Sequence, residues 1–292
     1  MTDATGSQTY AYGNLDELTS VITTYTGLSA QTISYDYHPN GSRQAMSTPA
    51  GNFAYSYDGT GRLVSMPNPF SETASWSYLD NNWLQTQSLI NGATTSYTYN
   101  AARHLTRLLN QAGSNILSDF SDITYDGAGN RISISASIPG ASALNGVTSY
   151  LYDTKNQVTQ EQSTRNGGYT NTFGYDSAGN ATSFKGVANT YNTKNQQTGT
   201  GFTYDGNGNP TTYNGITLTF DPEDHLTSYG NALTAGYRGD GLRAWKQSST
   251  GRTYFLYDGT LPIIELDSSG CVIATNSFAV SSPFFIRLIS RC

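Results

Sequence analysis

Charge is scarce in this chain. Asp, Glu, Lys and Arg make up 12% of the 292 residues, about half the usual share for a globular domain. With 15 basic against 21 acidic residues the formal net charge is −6. The basic stripe that neutralises a phosphate backbone is missing, which argues against a nucleic-acid partner. Cysteine is down to two residues, Cys271 and Cys292. That is too few for a disulfide framework, and the expectation is two unpaired thiols. No stretch approaches the ~20 apolar residues of a membrane-spanning helix. The nearest, Phe284-Phe285-Ile286-Arg287-Leu288-Ile289, is short and interrupted by Arg287. The opening Met1-Thr2-Asp3-Ala4-Thr5 lacks the basic start and apolar core of a secretory signal. No Pro/Ser linker or charge block divides the chain, so residues 1–278 read as one continuous array, followed by a tail, 279–292, where the pattern fails.

What fills the chain is tyrosine and glycine, 22 and 30 residues. Regular aromatics argue against the disorder that low charge and many turn residues might otherwise suggest. They recur in one phrase. Tyr57-Asp58-Gly59-Thr60-Gly61, Tyr125-Asp126-Gly127-Ala128-Gly129, Tyr175-Asp176-Ser177-Ala178-Gly179 and Tyr204-Asp205-Gly206-Asn207-Gly208 are copies, and Tyr257-Asp258 opens another. An Asp carboxylate can accept backbone N–H bonds from the residues just ahead and so start a turn. The Gly four positions after the Tyr can take positive φ without a Cβ penalty. Ahead of the aromatic the residues alternate, as in Phe53, Tyr55, Tyr57 and in Ala74, Trp76, Tyr78. Period two puts them on one face of a strand. Six positions after the aromatic an apolar residue often returns, as at Leu63, Leu105 and Leu226. Each unit therefore reads as strand, tight turn, strand.

Anchors fall at Tyr12, Tyr37, Tyr57, Tyr78, Tyr99, Tyr125, Tyr152, Tyr175, Tyr191, Tyr204, Phe220, Tyr237 and Tyr257, about thirteen hairpin units. Ala101 to Asn110 could pass for a short helix by composition, but the phase of the repeat favours strand. Gly140 to Gly146 reads as a surface loop.

Little else carries chemistry. The Asp residues of the Tyr-Asp pairs (Asp36, Asp58, Asp126, Asp153, Asp176, Asp205, Asp258) recur at one structural position. A catalyst needs two differently tuned carboxylates instead, so they are read as turn formers. Asp205-Gly206-Asn207-Gly208-Asn209 resembles the start of a calcium loop, but Ile216 stands where the bidentate Glu belongs. His38, His104 and His225 lie in separate turns without ligand spacing and are expected to be exposed. No cofactor or metal site is expected, and no catalysis. The tyrosines are expected to pack against one another within the sheet.

These residues resemble the Rhs/YD-repeat family, whose name comes from the Tyr-Asp turn. The segments FTYDGNGNP, TFDPEDHLTSYGN, YRGDGLRAWK and YFLYDGTLPIIELDSSG are the most similar, and the resemblance runs from about Tyr10 to about Phe278. It implies an all-β, antiparallel meander coiled into a spiral, barrel-like shell, here partial. It also implies a structural role: enclosing a toxin made by the same polypeptide, delivered between bacterial cells or acting at the cell surface. The core signature that follows the repeats in the family is not found in this sequence. The partners implied are the rest of such a shell and a toxin cargo. Two alternatives stand beside this reading: a cell-surface adhesion or carbohydrate-binding module using exposed aromatics on glycans, and a truncated remnant without an independent role.

Overall fold

The structure is a computed structural model that describes residues 1–278 and 285–288. It is all-β. Among the described residues the only helical segments are two single 3-10 turns, Ser142–Leu144 and Arg165–Gly167. Within each sheet, strands adjacent in sequence pair antiparallel and follow chain order without crossovers, and among the described residues no sheet closes on itself. The alternation behind this is visible in Gln31–Tyr37, where buried Ile33 and Tyr35 alternate with exposed Thr32 and Asp36. β-branched and aromatic side chains suit such half-buried pleated surfaces.

The chain divides into two compact units. The first joins Met1–Thr73 to the described residues from Thr200 on. It contains a six-stranded sheet from Thr2–Asp3 to Gly51–Ala54 and a ten-stranded sheet from Thr203–Tyr204 to Phe285–Leu288. Its core brings Tyr25, Ile33, Tyr35, Met46 and Phe53 into the same unit as Tyr254, Leu256, Ile264 and Leu266, all buried. The strands Gly251–Asp258, Leu261–Leu266 and Val272–Phe278 each carry a run of consecutive buried residues, 254–256, 263–266 and 274–276, so that both faces are covered there. Register places Leu256, Ile264 and Thr275 in one row and Phe255, Glu265 and Ala274 in the next, and all six are buried.

The second unit, Ala74–Gly199, has a thinner core. Ala74, Trp76, Ile123 and Ala136 are buried, and so are the polar Gln87, Thr148 and Ser163. Polar rows hold the sheet together: Thr95 donates to Asn110 Oδ1 at 2.7 Å, Asn110 Nδ2 donates to Ser118 Oγ at 2.9 Å, and the Thr148 and Ser163 hydroxyls lie 2.9 Å apart.

Leu105–Ala112 is a strand, so the repeat phase was the better guide there than composition. Gly140–Gly146 holds the 3-10 turn Ser142–Leu144. Phe285–Leu288 forms a strand paired with Val272–Phe278; the other residues of the 279–292 tail lie outside the described residues. One expectation changes. Cys271 is disulfide-bonded, not a free thiol, and Cys292 lies outside the described residues.

Candidate functional site: the turn edge and the clasp

The Tyr125 unit shows how a turn is built. The Asp126 N–H donates to Asn130 O at 2.9 Å, and the Gly129 N–H donates to Asp126 O at 3.1 Å. Asp126 Oδ1 accepts the backbone N–H groups of Ala128 and Asn130, both at 2.9 Å. Gly129 sits at φ +88, a region where a Cβ would be strained. The strand register shifts at Tyr125, which faces Arg131. This is a turn closed by a β-bulge. The same two backbone bonds join Asp58 with Arg62 and Gly61, Asp176 with Asn180 and Gly179, and Asp205 with Asn209 and Gly208. In each, the Asp Oδ1 takes two backbone N–H groups. Asp153 does the same through Lys155 and Gln157.

Two of the Tyr-Asp aspartates do otherwise. Asp36 lies inside Gln31–Tyr37, opposite Ala45, and His38 opens the turn in its place. Asp258 closes a two-residue hairpin loop, Gly259-Thr260, opposite Leu261, and its carboxylate points away to Arg43. Three turns with the same backbone bonds lack an aromatic anchor: those opened by Asn68, Leu89 and Asp267.

Successive units are bolted together by their tyrosines. Tyr37 Oη donates to Leu18 O at 2.9 Å, Tyr99 to Leu84 O at 3.0 Å, and Tyr125 to Leu105 O at 2.8 Å. Tyr152 donates to Arg131 O at 2.7 Å, Tyr175 to Val158 O at 2.9 Å, and Tyr237 to Leu226 O at 3.0 Å. Each acceptor is the first residue of the strand leaving the preceding turn. This explains why the anchor is tyrosine and so rarely phenylalanine. Tyr125→Phe is therefore expected to cost about 1 kcal/mol in urea unfolding, the net worth of one such bond. An unchanged midpoint would remove the hydroxyl from the account.

Ring packing adds to the ladder, though tyrosine on tyrosine is not its pattern. Trp83, His104 and His225, each the last turn residue, pack on the rings of the next anchors: Trp83 meets Tyr99 edge-on, His104 lies tilted on Tyr125, and His225 stacks on Tyr237. The histidines are thus half-buried packing residues, not free surface groups. Turns also touch side by side: Asn130 Nδ2 donates to Asn156 Oδ1 at 2.8 Å and Asn180 Nδ2 to Asn195 Oδ1 at 2.9 Å.

The turn bonds tune the carboxylates. The Asn130 side chain, its N–H and that of Ala128 hold Asp126 below the ordinary 3.8, and Asn180 does so for Asp176. The Arg62 backbone N–H, then Thr60, depress Asp58. A depressed folded pKa contributes stability that is complete above the unfolded value and is lost as pH falls through the lower folded value. Urea midpoints should hold from pH 7 to about 5 and then fall steadily below about pH 4. Asp126→Asn should be nearly neutral at pH 7, because Asn192 takes the same two turn bonds natively, and Asn100 takes the His104 N–H. It should also flatten part of the acid slope. An acid slope identical to that of the unmodified chain would contradict the assignment.

The first unit has a second polar feature. Arg43, from the N-terminal sheet, makes a two-pronged ion pair with Asp258 of the C-terminal sheet, one prong at 3.0 Å. Arg43 also lies 4.6 Å from the Tyr35 ring centroid. Burial pulls the Arg43 guanidinium down, but the bond to Asp258 more than offsets it. Burial pushes the Tyr55 hydroxyl up to about 12, with Arg43 working against it. Nearby, Tyr25 donates to Phe255 O and its ring lies 5.2 Å from that of Tyr254. Arg238 pairs with Asp240 and lies 5.0 Å from the Tyr257 ring centroid. With the Gln8 amide oxygen turned toward it, Arg238 Nε has a further acceptor at 3.0 Å. Asp3 accepts the Gly239 N–H at 2.8 Å. Together these contacts clasp residues of the first 60 to residues beyond 230.

Among the described residues no three His, Cys, Asp or Glu side chains converge as a metal site. In the calcium-like loop Asp205 is occupied by backbone N–H groups and Asn209, while Asn207 and Asn209 donate to Asp224. No described helix is long and apolar enough to cross a membrane, which leaves membrane β-barrels unaddressed.

No family model matches the chain, and no curated protein does. Solved structures do. The crystal structure of TcdB2-TccC3-TEV matches with TM-score 0.72 and 16% identity over 95% of this chain and 20% of that chain. The Photorhabdus luminescens Tc holotoxin pore with a TccC3 mutation matches at 0.72 and 16%, over 94% and 17%. The TcdB2-TccC3-Cdc42 crystal structure matches at 0.69 and 15%, over 92% and 20%. The chain shares the fold of a stretch of these toxin-complex chains and spans about a fifth of their length or less.

Proposed function

We propose that this chain is a non-catalytic wall segment of a β-shell of the Rhs/YD-repeat kind, with residues 1–278 acting as one array. The observation that supports it most is where the repeated polar groups go. Turn carboxylates are used by backbone N–H groups and anchor hydroxyls by backbone carbonyls. Such groups build a surface and leave no reacting centre. The fold shared with chains of toxin complexes supports a toxin-associated setting. In that setting the wall encloses or presents a cargo, meets the rest of a larger shell, and acts outside the producing cell or at its surface.

One measurement tests this. The purified chain should show no nuclease, protease or glycosidase turnover; a turnover abolished by one point change overturns the reading.

A further inference from the structure

The chain changes character between Ser163 and Leu218. No residue from 164 to 217 is buried, and Phe184 and Val187 stand 52% and 66% exposed. One hairpin in this stretch stands apart. Thr190–Tyr191 and Gln197–Thr198 are strands of two residues that pair only with each other, Thr190 opposite Thr198 and Tyr191 opposite Gln197. Every other described strand belongs to a sheet of six, ten or thirteen. An isolated two-stranded hairpin is marginal in water. Few bonds tie this one to its neighbours. The Asn189 N–H donates to Thr182 O at 2.9 Å, and Asn180 Nδ2 to Asn195 Oδ1 at 2.9 Å. Asn189 Nδ2 and Tyr191 Oη share Ala181 O, at 3.1 and 3.2 Å. Beyond it, Gly199-Thr200-Gly201 carries no strand. Lys194 is exposed at the tip of the turn.

We propose that the Lys194–Asn195 peptide bond is a processing site for an endoprotease that cuts after lysine, and that the cut chain persists as a two-piece protein held by the clasp. A protease acts on an extended segment, so folded chain must open before it is cut, and the cut falls where opening costs least. Nicking also concentrates at exposed tips of small polar residues. Residues 190–198 meet both conditions, because the segment to be opened is the isolated hairpin itself. The other basic residues between 164 and 217 are Arg165 and Lys185. Arg165 is bonded to Leu144 O at 2.7 Å, and Lys185 caps a hairpin of the thirteen-stranded sheet. The reaction is hydrolysis: the C–N bond breaks, the hydroxyl of water goes to the Lys194 carbonyl carbon and its proton to the Asn195 nitrogen. The products, 1–194 and 195–292, each supply part of the first unit. Tyr25, Ile33 and Tyr35 come from one, and Tyr254, Leu256 and Ile264 from the other. Arg43 on Asp258, Tyr25 on Phe255 O and the Gly239 N–H on Asp3 then join two chains instead of one. The inference is independent of the wall reading.

The test uses the full chain, with a trace of trypsin as the probe. Intact masses of the first products, taken under denaturing conditions, should be those of 1–194 and 195–292. Lys194→Gln removes the recognised charge at an exposed position. It should slow the first cut more than about a hundredfold and leave circular dichroism and melting as in the parent. On native size exclusion the cut protein should elute with the uncut one. The cut Asp258→Asn protein should come apart at concentrations at least about tenfold above those at which the cut parent does. A first cut after Lys185, or after any other lysine or arginine, overturns the site, and so does a chain that resists trypsin until it is denatured. Pieces of the cut parent that separate at micromolar concentration without denaturant overturn the two-piece assembly. So does a cut Asp258→Asn protein that holds together as well as the cut parent.

Discussion

Asp258→Asn should lower stability by about 2–3 kcal/mol, whereas Asp126→Asn, at the equivalent place in its own Tyr-Asp pair, should cost almost nothing at pH 7. The contrast follows from what each carboxylate faces. Asp126 accepts backbone N–H bonds at an exposed turn, and an amide oxygen can accept them too. Asp258 faces the Arg43 guanidinium, and the two side chains are only 18% and 23% exposed. An amide cannot neutralise that guanidinium. Losing one member of a fully buried pair costs about 3–5 kcal/mol, while exposed pairs are worth about 0–1. A mostly buried pair falls between. The same physics predicts that Arg43→Met combined with Asp258→Leu recovers most of the loss, because neither charge is then left unpaired. Urea unfolding of the four proteins measures this. Asp258→Asn within about 0.5 kcal/mol of the parent would show that the clasp contributes nothing.

Ile264→Ala should be more damaging, by about 3–5 kcal/mol. Ile264 is 0% exposed, and its row neighbours Leu256 and Thr275 are 1% and 0%. Its strand is covered on both faces, so neighbouring strands cannot easily collapse into the cavity, and poor collapse puts the cost at the upper end. The fluorescence of Trp245, in the first unit, follows the loss. A change below about 1 kcal/mol would mean that this row does not form a packed core.

Much of the fold is legible in the sequence because its signals are local. Asp126, Gly129 and Tyr125 announce strand, turn and strand within six residues, and the all-β antiparallel meander follows from repeating them. Local signals also explain the misses. The turns at Asn68, Leu89 and Asp267 carry the backbone bonds without the aromatic, so a search keyed to tyrosine passes over them. Asp36 is flanked by two tyrosines, Tyr35 and Tyr37, and the turn follows the second of them, which leaves Asp36 inside the strand. The ring contacts of Trp83, His104 and His225 had a readable trace: a ring one residue before the returning leucine. The clasp had none. Arg43 and Asp258 stand 215 positions apart, and no local pattern marks either as a partner of the other.

The clasp also sets a schedule for synthesis. Tyr25 and its acceptor at Phe255 are separated by 230 residues. At about 5–20 residues per second on the ribosome, Tyr25, Ile33 and Tyr35 wait on the order of ten seconds or more for the strands that will cover them. The second unit, Ala74–Gly199, is completed in that interval by contacts between neighbours. Nascent chains halted before residue 250 should accordingly present the first sheet with its aromatic face bare, a surface for a holding chaperone. Chains that have emerged beyond residue 278 should have withdrawn it.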